Sequence, residues 1–304
     1  MRIVKSNDPS LKIEVPPGSA FSCETPPLMP KAHFLLAVVG PRGSGKGVAT
    51  QNFLMKLKCV DRLFYISPSA NSNSVLLSRL GGMLQPNDMY SDVQNVKILD
   101  EIVSKIEAER DDLEEYWRKL DAYKRALRKV NSMKHDIMGI PDEEMYALGA
   151  GPPKHKWGGR PPCCVVWFDD IIGSNLMSGR GAREIARLAM FHRHIGGYTD
   201  PKRPGALGVS LIFNVQAWRS SAGAIPKAVR NNLTLMFLFK TKSDRELKEI
   251  AEEFGSEVSE ETFRKVYRYA TEGRHNFLWL DTSPKDNHPS PFRKNFSDFI
   301  VVEE

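Results

Sequence analysis

Two short stretches of this 304-residue chain combine residue types that can do chemistry together. The first is Gly40-Pro41-Arg42-Gly43-Ser44-Gly45-Lys46-Gly47-Val48. Its glycines permit backbone angles that turn consecutive N–H groups inward, the concavity that phosphate oxygens occupy. A helix starting at the end of the loop adds its positive dipole, and Lys46 adds a point charge for the β- and γ-phosphates of a nucleotide. The spacing is G-x-x-x-x-G-K, with Gly47 where a Ser or Thr hydroxyl ordinarily meets Mg2+. Thr50 is the next hydroxyl, about one helical turn further along and a poor replacement. Three consequences are open: water takes that position, carboxylates elsewhere hold the metal, or hydrolysis is weak.

The second stretch is Val165-Val166-Trp167-Phe168-Asp169-Asp170, an apolar run ending in two carboxylates. At the C-terminal edge of a parallel sheet such a pair faces the nucleotide. Asp169 would hold Mg2+, directly or through water, and Asp170 would polarise the attacking water. Strand alternation sends the two side chains to different sides. A third run, Leu211-Ile212-Phe213-Asn214-Val215-Gln216, ends in two amides on one face. Gln216 is the candidate sensor of the γ-phosphate or of the attacking water.

These residues need a scaffold that brings three strand ends together. Residues 34–39 form a continuous apolar run, the pattern of a strand covered on both faces. The loop at 40–47 and a helix over 48–58 follow, then a strand at 63–66 ending in the Ser/Asn-rich loop 67–74. Further strands are expected at 163–168, 209–213, 233–239 and 276–280, with helices at 182–192, 243–254 and 260–269. Residues 98–130 are dense in charge with apolar residues at helical spacing, which predicts a long amphipathic helix or a helical hairpin. Residues 149–162 read as a basic loop. Residues 1–30 read as an extended arm with one strand at 11–15, residues 31–285 as the main domain, and 286–304 as a C-terminal tail. Strands alternating with helices predict an α/β fold with a mostly parallel sheet flanked by helices. Lys46 and Asp169 stand 123 residues apart, long for neighbouring core strands, so 98–162 is expected to be an insertion.

Composition adds a coarser constraint. A formal charge of +6 and a pI near 9 fit a polyanionic partner. The four cysteines show no C-x-x-C spacing, which predicts reduced thiols rather than a zinc site. No apolar run approaches the roughly 20 residues that span a bilayer, so a soluble, intracellular protein is expected.

In this order the motifs resemble the DNA-packaging ATPases of large double-stranded DNA viruses, the poxvirus-type branch of the FtsK–HerA superfamily of P-loop NTPases. The resemblance covers residues 33–245. It rests on the loop from Gly40 to Lys46, on Phe168-Asp169-Asp170, on Arg193-His194 ahead of the next strand, on Asn214-x-Gln216, and on Ile225-Pro226-Lys227 with Arg230-Asn231 before the following strand. Gly47, the 98–130 segment and the loop 196–207 depart from the family pattern. The resemblance implies a RecA-like domain that hydrolyses ATP with Mg2+ in a ring, a hexamer being the expected size, and pumps duplex DNA into a capsid. It implies sequence-independent DNA contact, capsid-vertex or membrane components as partners, and a place in the host cytoplasm and the virion. It further implies an arginine supplied in trans; Arg193 is the favoured candidate, with Arg219 and Arg230 as rivals. Candidate DNA contacts are Lys154, Lys156, Arg160, Lys202 and Arg203. Two other readings stand beside it. One is a nucleotide-gated DNA-binding or scaffold protein with weak hydrolysis, which Gly47 favours. The other is a P-loop phosphotransferase, which would need an arginine-rich lid that the sequence lacks.

Overall fold

The computed structural model describes residues 24–132, 141–218, 225–254 and 258–302; the strand expected at 11–15 and Arg219 lie outside the described residues. Strand β1 (Leu35–Val39) runs into the glycine loop and helix α1 (Lys46–Leu57), followed by β2 (Arg62–Ile66). The single turn α2 (Ser74–Leu77) leads to β3 (Leu84–Tyr90), then α3 (Ile98–Ser132) and α4 (Asp142–Ala150). Alternation resumes with β4 (Cys164–Asp169), α5 (Gly179–Phe191), β5 (Ser210–Val215), α6 (Lys227–Arg230) and β6 (Leu235–Phe239). Helices α7 (Asp244–Phe254) and α8 (Glu260–Ala270) precede β7 (Phe277–Asp281), β8 (Phe292–Lys294) and β9 (Asp298–Phe299).

The strands form one sheet in the order β3-β2-β4-β5-β1-β6-β7-β8-β9. Pairing is parallel from β3 through β6 and antiparallel from β6 onward. The fold class is therefore the expected α/β arrangement. The apolar runs are continuous because both faces are covered: all five residues of β1, β6 and β7 are buried. One face carries α1, whose Phe53 meets Phe34, Phe237 and Trp279 edge-on. The other face is covered by α3, α5, α7 and α8, through Ile102, Ile106, Ile185, Leu188, Ile250 and Phe263.

Two features differ from the sequence reading, and a third decides between its two alternatives. Strand β3 was not expected, because Leu84-Gln85-Pro86-Asn87-Asp88-Met89-Tyr90 is polar and contains proline; at a sheet edge the missing N–H of Pro86 costs no ladder bond. Its buried Asp88 accepts from Arg62 and Lys105, an anchor invisible to periodicity. The expected tail 286–304 contributes β8 and β9, and fully buried Arg293 lies against Trp279 and Phe299 while donating to Leu28 O at 2.6 Å. The long charged segment is one 35-residue helix rather than a hairpin. Its first half is a wall of the core, with Ile98, Ile102, Ile106 and Leu113 buried, so the insertion reading fits only its second half. The sulfurs of Cys59 and Cys163 lie 3.9 Å apart without a disulfide bond, and Cys164 is buried beside them in β4.

Because Ile106 is fully buried against the sheet, Ile106→Ala is expected to destabilise the protein by about 2–5 kcal/mol through the cavity it leaves. Urea unfolding should show this as a shifted midpoint in a single transition.

Candidate nucleotide-binding site

Parallel register sets the site. Strands β1, β2, β4 and β5 end at one edge, where Val39 pairs with Val215, Asp169 with Asn214 and Ile66 with Phe168. Each chain then leaves the sheet through a polar loop. The glycine loop leaves β1, with Gly43 and Gly45 at φ 76° and 102°. Gly40 cannot be larger: a Cβ there would stand 2.6 Å from Cβ of Phe239. His275, before β7, supports the loop from below through Nδ1 and Ser44 O at 3.0 Å.

The loops enclose a cleft of about 610 Å3 lined by Arg42, Gly43, Gly45, Lys46, Gly47 and Val48 on one side and Ser69, Ser72, Asn73, Asp169, Asp170 and Gln216 on the other. The structure thus brings Lys46, Asp169, Asp170 and Gln216 together. Lys46 Nζ donates to Gly40 O at 2.6 Å and Pro41 O at 3.1 Å, curling over the loop that precedes it. Burial pushes the Lys46 ammonium below its ordinary value, opposed by the charges of Asp170 and Asp169.

Asp169 is clamped. Tyr65 OH donates to its Oδ2 at 2.7 Å and Asn214 Nδ2 to its Oδ1 at 3.0 Å. Fully buried Asn214 accepts in turn from the hydroxyl of Thr50, also fully buried, at 2.9 Å. On the other side, Asn73 Nδ2 donates to Tyr65 OH at 2.8 Å. A chain of hydrogen bonds therefore ties α1, β5, β4, β2 and the Ser/Asn loop through one carboxylate. Burial, helped by the neighbouring Asp170 charge, pushes the Asp169 carboxyl above its ordinary value; the Tyr65 and Asn214 bonds and Lys46 pull the other way.

Alternation from β4 would send Asp170 to the opposite face. The structure corrects that expectation: Asp170 has φ 55°, so the backbone turns and both carboxylates line the same cleft. Gln216 Nε2 donates to Asp170 Oδ1 at 2.7 Å, which makes these two residues a pair. Thr50 is spent on Asn214 and does not replace the hydroxyl missing at Gly47. Tyr65, Asn73 and His275 escaped the sequence reading. Tyr65 sits in an apolar run and looks like core, and the distant His275 has no local signal. The Ser/Asn composition of 67–74 was the one available clue.

Arg193 is not part of this cleft. It is exposed beside His192, whose Nε2 lies 2.9 Å from His33 O and whose carbonyl accepts from Val209 N. His33 precedes β1 and Val209 precedes β5, so Arg193 stands at the opposite sheet edge. Arg230 lies over Trp218 at 5.4 Å and pairs with Glu253. Among the candidate DNA contacts, Lys156 pairs with Glu109 at 2.7 Å, Arg160 pairs with Asp61, and Arg203 pairs with Asp121 and Asp200. Those three are tied to carboxylates, Lys156 and Arg160 at exposed positions; Lys154 and Lys202 are exposed as well.

A strand, a glycine loop, a helix and two carboxylates at the end of the next strand but one define a P-loop nucleotide-binding fold. Mg2+ takes few protein ligands and keeps waters and phosphate oxygens; Asp169 fits that use, whereas no group of three or more His, Cys, Asp or Glu side chains forms a metal cage among the described residues. No helix among them is long and apolar enough to cross a membrane.

No family model and no curated protein matches the chain. Solved structures do. The genome packaging NTPase B204 of Sulfolobus turreted icosahedral virus 2, in complex with AMP, is 13% identical, with 82% of this chain and 92% of that chain covered and a TM-score of 0.43. The conjugation coupling protein TcpA of pCW3 is 15% identical, with 83% and 58% covered and a TM-score of 0.41. The cytoplasmic domain of the Type VII secretion ATPase EccC of Thermomonospora curvata is 13% identical, with 83% and 24% covered and a TM-score of 0.39. At this distance the residue roles rest on the geometry of this chain alone.

The raised Asp169 carboxyl has a stability consequence. A carboxyl whose folded value lies above its unfolded value binds its proton more tightly in the folded state, so stability falls as pH rises through that range. Asp169→Asn is therefore expected to raise the melting temperature of the nucleotide-free protein at pH 7, with a smaller gain at pH 4.5. Thermal melts at the two pH values check this.

Proposed function

We propose that this chain is an ATP-driven translocase of double-stranded DNA that serves viral genome packaging. The observation that carries the proposal is the convergence of Lys46, Asp169, Asp170 and Gln216 on one cleft, in the motif order of that class. In this reading the loop from Gly40 to Val48 binds the phosphates of ATP through its N–H groups and Lys46. Asp169 is the residue that would hold Mg2+, which when bound would neutralise charge on the transferring phosphoryl oxygens. Tyr65 and Asn214 hold Asp169 in place, so its orientation is set before the nucleotide arrives. Asp170, oriented by Gln216, accepts the proton of the attacking water, and Gln216 follows the γ-phosphate.

Arg193 cannot serve its own cleft from the opposite sheet edge. A ring of subunits, six in the expected form, would let it complete a neighbour's site, where an arginine in trans stabilises phosphoryl charge and couples hydrolysis to subunit movement. The engagement of Arg230 with Glu253 and Trp218 favours Arg193 over that rival. Duplex DNA is the polyanion that a basic motor would hold through its phosphates rather than its bases. Capsid-vertex components as partners and work in the host cytoplasm belong to the same proposal.

A weakly hydrolysing, nucleotide-gated DNA-binding protein is the second reading. It is favoured by Gly47 and by the commitment of Thr50 to Asn214.

Duplex DNA is expected to stimulate ATP hydrolysis by the purified chain; DNA-independent turnover favours neither DNA reading. Lys46→Ala and Asp170→Asn should each lower the stimulated rate by about a hundredfold or more. Gly47→Ser restores the missing hydroxyl and should lower the Mg2+ concentration needed for half-maximal hydrolysis. An unchanged requirement would mean that another group already fills that position.

A further inference from the structure

Two of the departures from the family pattern, the 98–130 segment and the loop 196–207, form one body with the loop 149–162. Glu109 in α3 reaches Arg62 at the start of β2 at 2.7 Å, level with the N-terminal edge of the sheet. The remaining residues of α3, 110–132, extend beyond that edge by roughly 35 Å at 1.5 Å per residue. The loop 196–207 clamps this projection: Thr199 donates to Glu114, Arg110 to Gly197 O, and Trp117 meets Tyr198 edge-on at 5.2 Å. The loop 149–162 clamps it as well, with Trp117 Nε1 donating to Gly159 O and Lys156 and Trp157 bound to Glu109.

Charge along α3 is segregated. Residues 98–115 carry eight Asp or Glu against two Lys or Arg, whereas residues 116–132 carry six Lys or Arg against one Asp. The acidic half engages the 149–162 loop, Glu109 through Lys156 and Asp112 through His155. The basic half is complemented only in part: Lys119 pairs with Glu115, Asp121 pairs with Arg203, and Arg125 and Lys129 also have partners. Lys124 and Arg128, one turn apart, are exposed and have no carboxylate partner among the described residues. Beside them a groove of about 420 Å3 opens between α3 and the 199–203 turn, lined by Arg118, Arg125, Lys202 and Arg203 together with Glu114, Asp121 and Asp200. Arg203 lies over Trp117 at 4.9 Å and pairs with Asp121 and Asp200, which leaves Arg118 and Lys202 as the exposed cations of its rim.

We propose that Arg118, Lys124 and Arg128 of the distal half of α3, together with Lys202, form a sequence-independent contact for the phosphate backbone of duplex DNA. The proposal deepens the translocase reading and rests on it. Of the five contacts expected from the sequence it keeps only Lys202, and it lies at the sheet edge opposite the nucleotide cleft. From Arg118 to Lys129 the helix rises roughly 16 Å, a length over which duplex DNA presents on the order of nine charges. A row of cations spaced along a rigid rod matches that density. Side chains that meet phosphates without reaching into a groove carry no sequence preference.

The test is fluorescence anisotropy with a labelled random-sequence duplex and the full chain, without nucleotide, across a salt series. The variant Lys124→Ala/Arg128→Ala/Lys202→Ala removes three cations of the surface. The control Arg245→Ala/Lys248→Ala/Lys265→Ala removes the same charge from α7 and α8. The account expects the first variant to bind at least tenfold more weakly at low salt. Its log affinity against log salt should flatten by about 2.7, near 0.9 per lost phosphate contact, with melting temperature and ATP affinity unchanged. The control should keep most of the wild-type affinity and slope. If wild type binds duplex and the first variant binds equally, or the control loses as much, the α3 assignment is overturned while the DNA reading stands. If wild type binds phosphatidylserine vesicles but no duplex, both fall.

Discussion

Asp169 is held from two sides by groups that cannot let go without leaving a buried hydrogen-bonding atom unpaired. Tyr65 and Asn214 reach it from the two neighbouring strands, and Asn214 is itself held by Thr50 from α1. An unpaired buried polar atom costs about 1–3 kcal/mol, so the four residues act as one unit rather than as separate contacts. Everything else at the cleft is arranged around that unit. The glycine loop enters α1 on one side of it, the Ser/Asn loop hangs from Tyr65 on another, and Asp170 turns into the cleft where the β4 backbone is tied to Asn214 O. The burial that makes the clamp rigid also disfavours the ionised carboxylate, so this arrangement trades stability for a fixed charge facing the phosphates.

In the proposed translocase two tasks fall on two edges of one sheet. The candidate nucleotide site lies at the C-terminal edge. The N-terminal edge carries Arg193, the projecting half of α3 and the two loops that brace it. Such a subunit, completed by a neighbour and gripping a polymer elsewhere, would pass movement through its sheet, and the core is suited to this. Both faces are densely packed, with Phe53 joined to three aromatic rings and Phe168 stacked on Phe213 at 4.7 Å. Close-packed interiors transmit strain rather than absorbing it.

How much of this was legible in the sequence follows from how local each signal is. The apolar runs that became β1, β2, β4, β5, β6 and β7 are hydrophobic throughout because both faces are covered, and such runs are visible without any partner. The glycine loop was legible because its chemistry lies in consecutive residues. Strand β3 was not, since a polar edge strand with Pro86 is stabilised by the ion pairs of Asp88 with Arg62 and Lys105 rather than by its own pattern. Tyr65 was not, because one hydroxyl at the end of a buried run says nothing about which strand will lie beside it. The basic loops misled for the same reason: Lys156, Arg160 and Arg203 look free in sequence, and Glu109, Asp61 and Asp121, which pair with them, are tens of residues away.

The central claim is that Asp169, held by Tyr65 and Asn214, is the residue through which this cleft engages Mg2+, while Asp170 serves the water. Calorimetric titration of a non-hydrolysable ATP analogue, with Mg2+ and with EDTA, tests it on wild type, Asp169→Asn and Asp170→Asn. The account expects Mg2+ to tighten binding in wild type and in Asp170→Asn and to make little difference in Asp169→Asn. Mg2+ dependence that survives in Asp169→Asn but disappears in Asp170→Asn would contradict it.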